Sequence, residues 1–307
     1  DLTQSSATAT RDVISIRVSA GIRARIAPQS MTGPARPWTR FYPPGTPHDL
    51  GPLHYPHIPA AVRDASRTYG AKVAFTLGLP NGTQGGLTFE DTDRLSDQFA
   101  VYLREVAGFA AGDRIAIQMP NCLAYPVVVF GALKAGLVMA NTNPLYTTAE
   151  MAHQFADSGA TGLVVIDLFA NKVAEVLPKT SIKTVVVVRL ADLLPPLKRL
   201  LISAVQKYVK KMVPPITFAH TTLSRALSDG RARMAAGADP AAYVASLGPE
   251  SIAALQYTGG TTGVAKGAVL THGNLVANTQ QGLEMWKPFL RLGEEVMLTA
   301  LPLYHIF

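Results

Sequence analysis

The chain has 307 residues, 48% of them hydrophobic, a formal net charge of +7 and a single cysteine. This suffices for a large core in one or two domains, and no apolar run nears the about 18 residues a membrane-spanning helix needs. One thiol, Cys122, excludes a disulfide framework; it reads as a small buried hydrophobe in a reducing compartment. The charge does not suit a nucleic-acid protein. Residues 1–30 hold four arginines against two aspartates, residues 197–212 hold five cations and no acid, and the remainder is neutral.

Residues 1–30 have no apolar periodicity and no initiator methionine, whereas Met31 opens a segment that reads as a natural start. The first thirty residues are therefore expected to be a non-native or disordered upstream extension, with a transit peptide as the alternative. Residues 31–59 carry eight prolines and read as an extended arm. Residues 60–227 then form an α/β region. A helix is expected over about 60–69, and Thr88 caps a second in which Leu95, Phe99 and Leu103 recur every four residues. Residues 114–118 form a short buried strand stopped by Pro120. Residues 125–134 are apolar on nearly all sides and end at Gly136, as a buried helix would. A strand follows at 137–141, and Thr147 with Glu150 makes a capping box for the next helix. Residues 162–167 and 184–189 are Val/Ile-rich strands with a helix between them. This alternation predicts a parallel-rich sheet with helices on both faces.

In 197–212, Leu197, Leu200, Leu201, Ala204, Val205, Tyr208, Val209 and Met212 share one helical stripe, and Lys198, Arg199, Lys207, Lys210 and Lys211 lie off it. One reading is a surface helix docked on its own core through the stripe. The other is an interfacial helix that touches anionic lipid. Residues 228–249 read as a polar linker, and 250–307 as the start of a ligand-binding segment.

That last segment carries the strongest signal. In Tyr257-Thr258-Gly259-Gly260-Thr261-Thr262-Gly263-Val264-Ala265-Lys266-Gly267, three threonines and a lysine stand among four glycines, between two apolar runs. Glycines let a backbone approach a ligand closely, and successive N–H groups form an anion-binding nest. A Walker loop needs glycine before the lysine, Ser or Thr after it, and a helix beyond; here Ala265 and Gly267 flank Lys266 and a strand follows. A bare hairpin turn would not need the threonines and the lysine.

The motif closely resembles the phosphate loop of the adenylate-forming, acyl-activating enzymes. The resemblance extends through Thr271-His272-Gly273-Asn274-Leu275 and Leu301-Pro302-Leu303-Tyr304-His305-Ile306-Phe307. Upstream it includes Met119-Pro120-Asn121, residues 131–136 and Asn141-Thr142-Asn143-Pro144-Leu145-Tyr146. Together these look most like bacterial long-chain fatty-acid–CoA ligases, from about Met31 onward.

The resemblance implies the large-domain fold of those enzymes, in its N-terminal part and without the small C-terminal domain. It implies a two-step reaction: a carboxylate attacks the α-phosphorus of ATP to give an acyl-adenylate and pyrophosphate, then the thiol of coenzyme A displaces AMP. Thr258, Gly259, Gly260, Thr261, Thr262, Gly263 and Lys266 would hold the ATP phosphates. Mg²⁺ would share the charge, through an acidic residue beyond Phe307. His305, which alone would read as an ordinary packed histidine, would line the acyl pocket. The family's adenine and ribose contacts and its C-terminal lysine are not in this stretch, so the chain is expected to be a truncated piece, inactive alone. The expected partners are a fatty acid and, through the basic helix, an anionic membrane, with a cytoplasmic or inner-face location. Alternatives are a peptide-synthetase adenylation domain, a non-catalytic nucleotide-binding module and a lipid-surface protein.

Overall fold

The computed structural model describes residues 36–79, 82–258 and 265–305. It divides into two units, Asp1–Pro43 and Pro44–Phe307. Of the first, only the proline-flanked stretch with a 3-10 turn at Thr39–Phe41 is described; the segment read as an upstream extension lies outside the described residues.

The second unit begins with α1 (Ile58–Tyr69), started by His57, whose Nδ1 accepts the Ala60 N–H. Next come β1 (Val73–Gly78) and β2 (Gln84–Thr88), an antiparallel pair absent from the sequence reading. Gly78, Gly85 and Gly86 dilute the strand signal there, so tertiary pairing makes what propensity does not. Thr88 opens α2 (Phe89–Val101) in a capping box with Asp91. Then follow β3 (Arg114–Gln118), α3 (Ala124–Lys134), β4 (Val138–Asn141) and α4 (Thr148–Ser158), the last opened by the expected Thr147–Glu150 capping box. β5 (Gly162–Ile166), α5 (Ala170–Val176), β6 (Thr184–Val188), α6 (Pro196–Ala204) and the short β7 (Thr221–Thr222) continue the alternation. α7 (Leu223–Ala235), α8 (Ala241–Val244), β8 (Ile252–Thr258), β9 (Lys266–Thr271) and α9 (His272–Trp286) complete the order.

Seven strands form one sheet, ordered β7-β6-β5-β3-β4-β8-β9, parallel throughout except for the antiparallel pair β8–β9. Alternate residues of the central strands enter different cores. Ile115, Ile117, Val164, Ile166, Val186 and Val188 pack with α2, α3 and α7 residues, whereas Ala116, Leu163, Val165, Val185 and Val187 pack with Met151 and Phe155 of α4 and Val173 of α5. Helices thus cover both faces, the arrangement a parallel sheet requires.

The layer of α1, α2, α3 and α7 is held by an ionic cluster as well as by apolar contact. Lys134 of α3 reaches Asp93 (2.5 Å) and Asp97 (2.8 Å) of α2, and Arg63 of α1 reaches the same two carboxylates. Gly230 of α7 sits on the α2 backbone; a Cβ there would fall 1.8 Å from the Gln98 carbonyl oxygen.

Two sequence expectations need correction. The stretch 228–249 is not merely a linker, because α7 runs to Ala235 and α8 follows; Gly230 reads as a breaker locally but serves close helix packing. The apolar stripe of 197–212 does not dock on the core. Leu197, Leu200, Leu201, Tyr208, Val209 and Met212 are 48–79% exposed, and Ile202 is the buried residue of α6. Leu200, Ala204 and Tyr208 of the stripe line the cleft between this segment and the ends of β5 and β6 only together with the off-stripe Ser203 and Gln206. No described helix is long and apolar enough to cross a membrane.

Candidate functional site

In open α/β sheets, ligands bind beyond the carboxyl ends of the strands, where the strand order reverses. Here the chain runs from β3 to its neighbour β4, then returns past β3 to β5. The β8–β9 hairpin lies beside β4, with Thr258 at the carboxyl end of β8 and Lys266 paired to it.

The hairpin follows from its sequence. β8 is apolar and mostly buried between exposed ends, and β9 returns in register with Tyr257 opposite Gly267 and Thr258 opposite Lys266. A side chain at position 267 would press on the Tyr257 ring, since a Cβ would lie 3.0 Å from it. Thr271 then caps α9 in a box with Asn274. Thr258 and Lys266 therefore close the hairpin as a facing, exposed pair. Among the described residues no carboxylate is ion-paired with Lys266. Gly259, Gly260, Thr261, Thr262 and Gly263 lie outside the described residues.

A buried network of amides lines the neighbouring strand ends. Each of β3 and β4 ends on an amide, Gln118 and Asn141, and β8 carries Gln256 two residues before its end, all three buried. Asn141 Nδ2 donates to Gln256 Oε1 (3.3 Å), and Gln154 of α4 donates to the Asn141 carbonyl (2.8 Å). Tyr125 Oη lies 3.0 Å from Asn141 Oδ1 and 2.8 Å from the Leu303 carbonyl oxygen, sharing one proton between them. Burial pushes this phenol well above its ordinary pKa, so it stays a neutral donor.

The network captures the segment 299–305. Asn121 Nδ2 donates to the Leu301 carbonyl (2.9 Å), its Oδ1 accepts the Leu303 N–H (2.7 Å), and Gln256 Nε2 donates to the Tyr304 carbonyl (3.2 Å). His305 follows on a turn closed by its N–H to the Pro302 carbonyl (3.0 Å), and it is exposed. Gln256 is two residues from Thr258, so β8 brings His305 and the hairpin pair to one end of the sheet.

Sequence reasoning gives no individual functional role to Asn121, Tyr125, Asn141, Gln154, Gln256 or Tyr257. The available signal was an amide at or near the end of three otherwise apolar strands. Cys122 fits its sequence reading: burial pushes its thiol up to about 11, which leaves it protonated and unreactive. Among the described residues no group of three His, Cys, Asp or Glu could hold a metal ion. What Thr258 and Lys266 offer instead, an exposed hydroxyl and an exposed ammonium facing each other, suits phosphate oxygens.

Residues 62–307 match the AMP-binding enzyme family. The chain is 40% identical over 272 residues to a long-chain-fatty-acid–CoA ligase of Escherichia coli O157:H7, covering 88% of this chain and 46% of that protein. It is 30% identical over 275 residues to the one of Bacillus subtilis, covering 89% and 46%. The chain thus spans about half the length of the curated relatives it matches. A crystal structure of a long-chain-fatty-acid-CoA ligase from Archaeoglobus fulgidus aligns with a TM-score of 0.62 at 22% identity, over 86% of this chain and 45% of that one. The apo structure of Mycobacterium smegmatis MbtA aligns with a TM-score of 0.53 at 24% identity, over 72% and 35%. With its residues matched from 62 to 307, the chain belongs to the AMP-binding enzyme family.

Proposed function

We propose that this chain supplies the phosphate-holding part of an ATP-dependent long-chain fatty-acid–CoA ligase. The observation that carries the reading is the Thr258–Lys266 pair, closing a glycine-rich hairpin beside strand ends to which segment 299–305 is bound. The similarity to curated fatty-acid ligases supports the substrate class.

The chemical task is to bring a carboxylate anion to a polyphosphate. Fixed donors that withdraw charge from the phosphates lower that barrier, because they need no reorganisation during reaction. Lys266 contributes a mobile ammonium and Thr258 a hydroxyl; the glycines and threonines of 259–263 would add N–H and hydroxyl donors. Mg²⁺ would arrive on the nucleotide and share its charge. His305 would face the acyl side. The fatty-acid carboxylate displaces pyrophosphate from ATP, and the thiol of coenzyme A then displaces AMP from the acyl-adenylate.

In the complete protein, fatty-acid-dependent ATP–pyrophosphate exchange is the test. Lys266→Met should reduce it at least about 100-fold, the scale for losing one electrostatic donor. Unchanged exchange in this variant, or none in the wild type, would rule the reading out. Because the chain spans about half the length of its relatives, the 307 residues alone are expected to give no exchange.

A peripheral contact with anionic membrane is part of the same proposal. The outward apolar stripe of 197–212, flanked by Lys198, Arg199, Lys207, Lys210 and Lys211, supports it. Vesicles containing anionic lipid should retain the protein at low salt, and neutral vesicles should not. If replacing the five cations with glutamine leaves retention unchanged, the contact does not exist.

A further inference from the structure

Helix α4 lies beside the hairpin, and none of its residues belongs to the phosphate-binding set. Two of them, His153 and Asp157, are four residues apart and so share one face of the helix. They reach the two arms of the hairpin separately. Asp157 Oδ2 accepts the Tyr257 hydroxyl proton at 2.5 Å, on the β8 arm. His153 Nε2 lies 3.4 Å from the Ala265 carbonyl oxygen, next to the β9 arm. Bonded as an Nε2–H donor, the imidazole holds the residue before Lys266.

This arrangement matters because β9 is the edge of the sheet. Among the described residues its only strand partner is β8, so without α4 the hairpin hinges on one ladder. The Tyr257 ring also packs under Gly267, so the Asp157 bond fixes a ring on which both arms rest. The helix itself is well anchored: its capping box sets its start, and Met151 and Phe155 are buried in the core.

We propose that Asp157 and His153 are positioning residues, which set where Thr258 and Lys266 stand toward the nucleotide phosphates while touching no phosphate themselves. The proposal rests on the reading of Thr258 and Lys266 given above. Asp157 carries most of the effect, since its bond is short and made to a carboxylate, whereas the His153 contact is long and exposed.

Two measurements on the full chain separate this inference from the functional reading. The first is limited trypsin cleavage after Lys266, which reports opening of the hairpin without any nucleotide. Asp157→Ala and Tyr257→Phe should each raise it about tenfold, the scale of one lost hydrogen bond to a charged acceptor. Cleavage elsewhere should stay put, and the melting temperature should fall by only a few degrees, because global unfolding loses the same single bond. Asp157→Asn, whose amide oxygen still accepts, should remain within about threefold of wild type. The second is the equilibrium Kd for ATP, expected to weaken about five- to tenfold in Asp157→Ala and to be largely restored in Asp157→Asn.

The proposal fails if Asp157→Ala leaves cleavage after Lys266 within twofold of wild type. It fails also if cleavage rises equally at all sites, or if Asp157→Asn behaves like Asp157→Ala. A wild-type chain that binds no ATP would count against the functional reading alone, and the cleavage assay would still judge the brace.

Discussion

Replacing Lys134 with methionine tests how the helical layer is held. The Lys134 side chain is 1% exposed, and its ammonium sits 2.5 Å from Asp93 Oδ1, 2.8 Å from Asp97 Oδ1 and 2.9 Å from the Asp93 carbonyl oxygen. Those two carboxylates are themselves 12% and 8% exposed, so neither can recover its hydration. Arg63 is the remaining cation, at 3.0 Å and 3.6 Å, and its side chain is 34% exposed. Methionine nearly matches the lysine stem, so little packing is lost and the change isolates the charge. Removing one partner of a buried ion pair costs about 3–5 kcal/mol, mostly from the charge left behind. With Arg63 compensating in part, we expect about 3 kcal/mol, measured by urea unfolding at pH 7. Neutralising the acids as well, in Lys134→Met with Asp93→Asn and Asp97→Asn, should recover more than half of that loss. A cost below about 1 kcal/mol for the single change, or a triple variant less stable than the single, would refute the argument.

Stability should also fall between about pH 6.5 and 4. His272 is buried, its Nδ1 accepts the Ile58 N–H, and burial pushes its pKa down to about 4. The unfolded chain then binds a proton that the folded chain refuses, so unfolding becomes easier as pH drops through that window. The slope should shrink in His272→Gln; an unchanged slope would count against it. Asp167 has the opposite sign. Burial raises it to about 6, and among the described residues its Oδ1 has no hydrogen-bond partner, so the ionised form destabilises the fold as pH rises from 4 to 6. Asp167→Asn should therefore stabilise at pH 8 by on the order of 1 kcal/mol and be neutral at pH 4, read as a shift in urea midpoint. Gly230→Ala should destabilise by about 1–3 kcal/mol, because its Cβ would meet the α2 backbone. Were Gly230 in an exposed helix, the same change would stabilise by about 0.5–1 kcal/mol, so the sign alone decides.

The sequence by itself determined most of the elements. Strands such as Thr184–Val188 are continuous Val runs that only a sheet buried on both faces accommodates. The boxes at Thr88, Thr147 and Thr271 are local, since each hydroxyl meets an N–H three residues on. The two strands on either side of the glycine-rich stretch were legible from the apolar runs that flank it, whereas their antiparallel pairing is a tertiary result. Tertiary structure decided what periodicity cannot carry. A helical stripe says that 197–212 has two faces, but not which one meets the body; only the packing of Ile202 turned the leucines outward. The pairing of Gln256 with Asn141 and Tyr304, of Asn121 with Leu303, and of Tyr257 with Asp157 joins residues 48 to 182 positions apart. Such hydrogen bonds leave no local trace beyond a polar residue in an apolar strand, because their partners are fixed by strand order and not by spacing along the chain.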